Sequence, residues 1–334
     1  MQVSDFSAFR RAIDRADVPD RPLLPGWWLV AGTAGGAALL AALLFDAGER
    51  IDLFVPGAWP FLAWLTLTFG TALLLRGRDG RRATALRDGA ADYGLFSLCA
   101  LMGAAASYPI AALSHGYADE RLQRIDAAFR FHWLGWYETV AAHPALQLFG
   151  RLAYESVYLS PALLLGWFAW TGRRGEARAF LLAFQLAAVI TLVLFFFMPA
   201  EGPFASDWHG PIPYMPDSAL WQPLLIPELR SHALSVIDLG QLRGLVSAPS
   251  FHTAAAVLYL RAAWPHRQLR RILVPLNVAM LLSTPVEGTH YLADMLLGAL
   301  VAAVALTALE AVAPSASVRR LRPALAVPRP RGRV

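Results

Sequence analysis

Ser247-Ala-Pro-Ser-Phe-His252 and Gly288-Thr-His290-Tyr-Leu-Ala-Asp294 each stand at the start of an apolar run. The two histidines are 38 residues apart. Between them runs one apolar hairpin with an arginine-rich turn, Pro265-His-Arg-Gln-Leu-Arg-Arg271. A hairpin that crosses a bilayer returns the chain to the side it left. The spacing therefore predicts that His252, His290 and Asp294 lie at one level on one face of a membrane. The rest of the chain reads as the scaffold that holds them there.

Composition agrees with a membrane chain. The 334 residues are 57% hydrophobic and only 16% charged. Mean hydropathy is positive. Several apolar runs near 20 residues carry almost no charge, as a bilayer-spanning helix requires. The fold class read from this is all-α, a polytopic integral membrane protein. The formal net charge is +5 with no lysine, and the arginines cluster in short loops between apolar runs. That pattern marks topology rather than a nucleic-acid surface. Cys99 is the only cysteine, which excludes an internal disulfide and a cysteine metal site and leaves a packing role. The N-terminal residues, with Arg10, Arg11, Asp14, Arg15, Asp17 and Asp20, lack a signal-peptide layout. The first spanning helix is expected to serve as an uncleaved signal.

Eight spans are predicted. The first five are Trp27–Phe45, Ala58–Leu75, Tyr93–Leu113, Ala153–Trp170 and Phe180–Met198. The sixth starts near Ser250, the seventh near Ile272, and the eighth runs from about His290 to Val312. Residues 1–25 form a polar lead, and the tail from Val318 is basic, proline-rich and expected to be disordered. Residues 114–152 break the apolar pattern. Leu122, Ile125 and Phe129 recur at helical spacing, with Arg121, Arg124 and Asp126 on the other side and Trp133, Trp136 and Tyr137 following. This reads as an interfacial amphipathic helix lying flat at the membrane surface, the alternative being an ordinary soluble cap helix. Residues 199–249 are a long loop with Glu201, Asp207, Asp217, Glu228 and Asp238 against Arg230 and Arg243. Loops of this length usually have a function.

Arginine content sets the orientation. Loops 76–87, 173–178 and 267–271 and the tail hold most of it, while loop 199–249 is net acidic. Positive loops stay cytoplasmic. Both termini are therefore expected inside the cell inner (plasma) membrane, with the motifs facing the periplasm or exterior. Thirteen residues separate His252 from Pro265. They span roughly 20 Å of helix at ~1.5 Å per residue, against a ~30 Å hydrocarbon core. His252 is thus expected somewhat below the outer headgroup plane, which suits a substrate with a polar headgroup and a tail in lipid.

His290 and Asp294, four residues apart, would share one face of a helix. The carboxylate can then fix the imidazole tautomer and leave the other ring nitrogen as a nucleophile. A second histidine facing it, His252, is placed to protonate a leaving oxygen. Ser250 and the unpaired amides of the sixth span's first turn make an anion site.

With these residues in view, the chain resembles the type-2 phosphatidic acid phosphatase superfamily. Pro249-Ser250-Phe251-His252 and Gly288-Thr-His290-Tyr-Leu-Ala-Asp294-Met-Leu-Leu-Gly298 are similar to its last two signature motifs. The closer likeness is to the inositolphosphotransferase-like branch, which includes the inositol phosphorylceramide synthases. The resemblance spans roughly residues 90–312 and is strong only in 247–298. It implies a six-helix catalytic membrane domain, 89–312, preceded by two accessory helices in 26–88. It also implies a metal-independent phosphohistidine mechanism without a cofactor. By that likeness His290 is the nucleophile, Asp294 its orienting partner and His252 the general acid. Three departures matter. Phe251 replaces the usual glycine, Thr284 stands where the phosphatases carry an arginine, and Met198-Pro-Ala-Glu-Gly-Pro203 replaces a Lys-x6-Arg-Pro motif. Arg243 is the sequence's candidate for the missing phosphate-binding charge.

Lesser candidates surround this set. Tyr154 and Glu155, toward the outer end of the fourth span, and His209, in the outer loop, are possible headgroup or acceptor contacts. His115, His132 and His143 read as structural, His232 as a surface residue and His266 as lying on the wrong side. Two histidines and an aspartate are also a possible zinc set, but no glutamate stands beside them as an obvious base. The reading is a membrane enzyme acting on a lipid with a phosphorylated headgroup, by hydrolysis or head-group transfer. The other class is a non-catalytic membrane protein such as a transporter. It would show polar residues through the middle of several spans, and most spans here are plainly apolar.

Overall fold

In lipid every backbone polar group must be satisfied within its own segment, so long apolar runs become helices. The computed structural model describes residues 20–216, 218 and 220–312. Most of the expected N-terminal lead, Asp217 and the basic tail lie outside the described residues. The chain begins with α1 (Gly26–Ala47), α2 (Trp59–Leu74) and α3 (Arg81–Leu113). Three short helices follow: α4 (Asp119–Ala128), α5 (Trp133–Ala141) and α6 (Pro144–Glu155). Then come α7 (Leu159–Thr171), α8 (Arg174–Phe197), α9 (Pro203–Asp207) and α10 (Trp221–Arg230). The last three are α11 (Phe251–Ala263), α12 (Arg267–Glu287) and α13 (Leu292–Val312).

All eight expected spans are helices. Six are long and apolar enough to cross a membrane: α1, α2 with its leading turn, α3, α8, α12 and α13. The other two, α7 and α11, have 13 residues each. The third span is the second part of a helix that starts at Arg81, well before Tyr93. The fourth begins at Leu159 rather than Ala153, because a turn at residues 156–158 separates α6 from α7. The eighth begins at Leu292, so His290 precedes the helix.

The single interfacial helix expected in 114–152 is corrected to α4, α5 and α6. Its aromatic residues do not form a membrane belt. Trp133 and Tyr137 are buried and stacked with ring centroids 5.3 Å apart. Trp133 Nε1 donates to the Pro285 carbonyl at 2.6 Å, so these rings pack onto α12. Asp126, placed by sequence on the polar side, is buried too.

The bundle core lies between α7, α8, α11 and α13. Phe168, Phe180, Phe184, Leu258 and Tyr259 pack there against Ala302 and Ala305. Small residues let the helix backbones approach closely. At the arginine-rich end a buried charged cluster closes the bundle. Arg173 Nη1 is 2.9 Å from Glu176 Oε1, and His266 Nε2 is 2.5 Å from Glu176 Oε2. His266 therefore sits at the end opposite the motifs. At the motif end, the chain after α1 forms β1 (Arg50–Asp52), which pairs in parallel with β2 (Val236–Asp238) in the long loop. This small sheet ties the leading helices to the loop over the site.

Glu49 sits between α1 and β1, buried, with neither carboxylate oxygen partnered among the described residues. Burial pushes its carboxyl from the ordinary 4.5 up to about 7. The folded protein thus holds a proton that the unfolded chain releases. The folded state is favoured in full below the ordinary value, and stability falls as pH rises toward the folded value. Glu49→Gln is expected to raise the melting temperature above about pH 8 and change it little near pH 5. An equal shift at both pH values would count against a titrating Glu49.

Candidate active site

Ser250 begins α11 as its N-cap. Its Oγ accepts from the Thr253 N–H at 3.4 Å, which satisfies one of the donors a helix start leaves over. Its backbone N–H donates to the Asp294 carbonyl at 3.0 Å, locking the start of α11 to the start of α13. Helix geometry then directs the N–H groups of the first turn at the space beside His252.

His252 is the second residue of α11. Its ring is stacked on Tyr154 with centroids 4.3 Å apart, and its Nδ1 is 3.2 Å from the Tyr154 hydroxyl. Tyr154 comes from α6 and is buried. The His252 and His290 rings lie 6.4 Å apart, centroid to centroid. His290 Nδ1 is 2.9 Å from Asp294 Oδ1, and both side chains are buried. The contact is short but poorly aligned for a hydrogen bond. Such contacts commonly tighten only in the substrate complex. With Nδ1 against the carboxylate, Nε2 is the nitrogen left for chemistry.

The turn before α13 is special. Thr289 stands at φ +51°, a conformation that costs a β-branched residue on the order of 1–3 kcal/mol and that surrounding contacts must impose. Gly202, at φ +93°, packs on it, since a Cβ there would stand 2.6 Å from the Thr289 carbonyl oxygen. The segment replacing the Lys-x6-Arg-Pro motif is therefore a backing wall for the His290 turn.

Sequence reasoning missed two further residues. Asp126 of α4 accepts from the N–H groups of Leu292 at 2.9 Å and Ala293 at 2.7 Å. Burial pushes its carboxyl above the usual range, opposed by these two bonds. Asp119 accepts from the Tyr291 hydroxyl at 3.1 Å and from the N–H groups of Glu201 and Gly202. Asp119, Leu122 and Asp126 recur at three and four residues, one stripe of α4. That stripe was visible in the sequence, but Asp126 read as part of the polar side and Asp119 was not singled out.

The remaining sequence candidates are more dispersed. The exposed Arg243 has its guanidinium over the Trp221 ring at 4.2 Å, and its N–H donates to the Tyr108 hydroxyl. Glu155 is exposed and lies outside the apolar α7, so the argument from an intramembrane carboxylate does not apply to it. His209 is exposed as well. Thr284, at the position where the resemblance implies an arginine, is buried and donates to the Met280 carbonyl. Another arginine, Arg151 of α6, lies 5.9 Å from the Tyr214 ring. The Tyr214 hydroxyl donates to Glu287, three residues before His290.

A family model described as the PAP2 superfamily matches residues 120–308, more than half of the chain, including α5–α12, both histidine motifs and all but the ends of α4 and α13. The chain belongs to the PAP2 superfamily. No curated protein and no solved structure matches it. Membership supports a phosphatase-type activity on lipid phosphates, and the all-helical membrane architecture is that of the superfamily. Within this PAP2 chain, Tyr154→Phe keeps the ring stacked on His252 and removes the hydroxyl. Its turnover is expected to fall about tenfold with KM little changed, the equivalent of one hydrogen bond to a charged group. A raised KM at unchanged kcat would instead make Tyr154 a substrate contact.

Proposed function

We propose that this protein transfers a phosphorylated headgroup, or a phosphoryl group, from a membrane lipid through a phosphohistidine on His290. The observation that carries the reading is the pair of rings 6.4 Å apart with Asp294 at 2.9 Å behind one of them. That spacing accommodates a phosphorus between a nucleophilic nitrogen and a proton donor. In the first step His290 Nε2 attacks phosphorus, the P–O bond to the leaving alcohol breaks, and His252 delivers a proton to the departing oxygen. In the second step His252 takes a proton from the incoming alcohol or water as that oxygen attacks, and the P–N bond breaks. Asp294 stabilises the charged imidazole between the steps. Ser250 and the α11 N-terminus cradle the phosphoryl oxygens, with Arg243 and Arg151 as sources of positive charge at that end.

Transfer to an alcohol, as in the inositolphosphotransferase-like branch, is the preferred outcome. Two features favour it over hydrolysis. The cations of the hydrolase motifs are replaced, and His290 and Asp294 are only 3% and 0% exposed, which limits water at the intermediate. The arginine distribution supports a site on the outer face of the plasma membrane with both termini cytoplasmic.

The test is a labelled panel presented to purified protein in liposomes with EDTA throughout. It contains phosphatidic acid, an isoprenoid phosphate or diphosphate, and phosphatidylinositol with ceramide or diacylglycerol as acceptor. A labelled product lipid without free phosphate, absent with His290→Ala, is the expected result. Free phosphate that disappears in the variant makes the protein a phosphatase. EDTA-sensitive turnover would sink the metal-free mechanism.

A further inference from the structure

One short helix, α4, reaches the start of α13 from outside with two carboxylates. Asp119 and Asp126 lie two turns apart on one face of α4 and between them contact Tyr291, Leu292 and Ala293. Tyr291 is fixed further by Ser206, whose Oγ is 2.7 Å from its hydroxyl, and its N–H donates to Asp294 Oδ2 at 3.0 Å. The same carboxylate thus uses one oxygen on the backbone of Tyr291 and presents the other to His290. Its direction depends on where the first turn of α13 lies. The natural cap for that turn would be a local side chain. Here it comes from Asp126, 166 residues earlier in the chain.

We infer that Asp126 is a positioning residue, a cap delivered from α4 that sets the first turn of α13 and thereby aims Asp294 at His290. The body of α13 does not need it. Val301, Ala302, Ala305 and Leu309 are buried in the bundle core, far along the helix from the cap. Asp126 therefore governs the few residues that carry the site rather than the helix as a whole. The inference rests on the phosphohistidine reading for its kinetic consequence, but the geometry it asserts can be measured without any substrate.

The experiment compares Asp126→Asn, Asp126→Ala and the parent protein, each labelled with 15N-histidine in lipid nanodiscs. The signals of His290 are assigned by their loss in His290→Gln. The parent is expected to show one neutral tautomer at His290, with the proton on Nδ1. Asp126→Ala is expected to give an averaged pair of ring-nitrogen shifts. Its turnover should fall about 100-fold with KM within about twofold, the scale of a misplacement near 1 Å. Asp126→Asn keeps one acceptor oxygen and should fall between the two, which also covers an alanine variant too unstable to purify. A purely structural cap predicts less folded protein but an unchanged tautomer and unchanged turnover per folded molecule, and that outcome overturns the inference. If no lipid in the panel turns over, the phosphohistidine reading fails while the tautomer shift still decides the role of Asp126.

Discussion

His290→Ala is expected to lower turnover of the lipid substrate by roughly 10⁴- to 10⁶-fold, the loss seen when a nucleophile that forms a covalent intermediate is removed. KM should change far less, because the phosphate cradle at the start of α11 is untouched. Acid-stable and acid-labile label separate the possibilities further. Brief exposure of the parent protein to a labelled lipid phosphate should leave acid-labile, base-stable label on the chain, as a phosphoramidate requires, and none on the variant. His252 has a different signature. Its assigned work is to protonate the departing alcohol, so His252→Ala should cost roughly 10²- to 10⁴-fold with a lipid alkoxide. The cost should shrink to a small factor with a nitrophenyl phosphate, whose alcohol leaves without a proton. Equal losses on both substrates would make His252 a phosphate-binding group instead. Label remaining on His290→Ala would remove the nucleophile assignment altogether.

The parts of this protein that were legible in the sequence are those governed by local rules. Apolar length identified the six helices long and apolar enough to cross a membrane and the two shorter ones, α7 and α11, because lipid leaves a backbone few alternatives. The pairing of His252 with His290 followed from the parity of a hairpin, and the structure brings their rings together. Other features depend on partners distant in sequence. Trp133 and Tyr137 looked like interfacial anchors, since sequence alone cannot show that Pro285 waits to accept the indole N–H. Asp126 looked like part of the polar side because its acceptor role is to the backbone of residues 292 and 293, and backbone amides leave no trace in composition. The pairing of β1 with β2 was equally hidden, with three residues on each strand and no alternating pattern to betray it. His290 was expected on a helix with Asp294. It reaches the same contact from the preceding turn, because Thr289 at φ +51° redirects the chain.

The close joining of α11 to α13 makes Gly298 a position where the smallest addition should do heavy damage. A Cβ on Gly298 would stand 2.1 Å from the Ser250 carbonyl oxygen and 3.3 Å from the Thr253 Cβ. The near atom is backbone, so no side chain can swing away, and the two helices must part. Ser250 is at that point also bonded to the Asp294 carbonyl through its N–H, so parting the helices strains the link between the two histidine motifs. Gly298→Ala should therefore lose stability at the upper end of the usual 1–3 kcal/mol for an overpacked core, about 3 kcal/mol. Its turnover should fall on the order of 100-fold, because His252 moves with α11 while His290 stays with α13. Gly298→Leu should fail to yield folded protein. Thermal melting in detergent and turnover per folded molecule read the two effects separately. A Gly298→Ala variant that melts and turns over like the parent would show that α11 and α13 can separate at no cost. The site would then owe its geometry to the supports outside that pair: α4 on the start of α13, Gly202 on the His290 turn and α6 on the His252 ring.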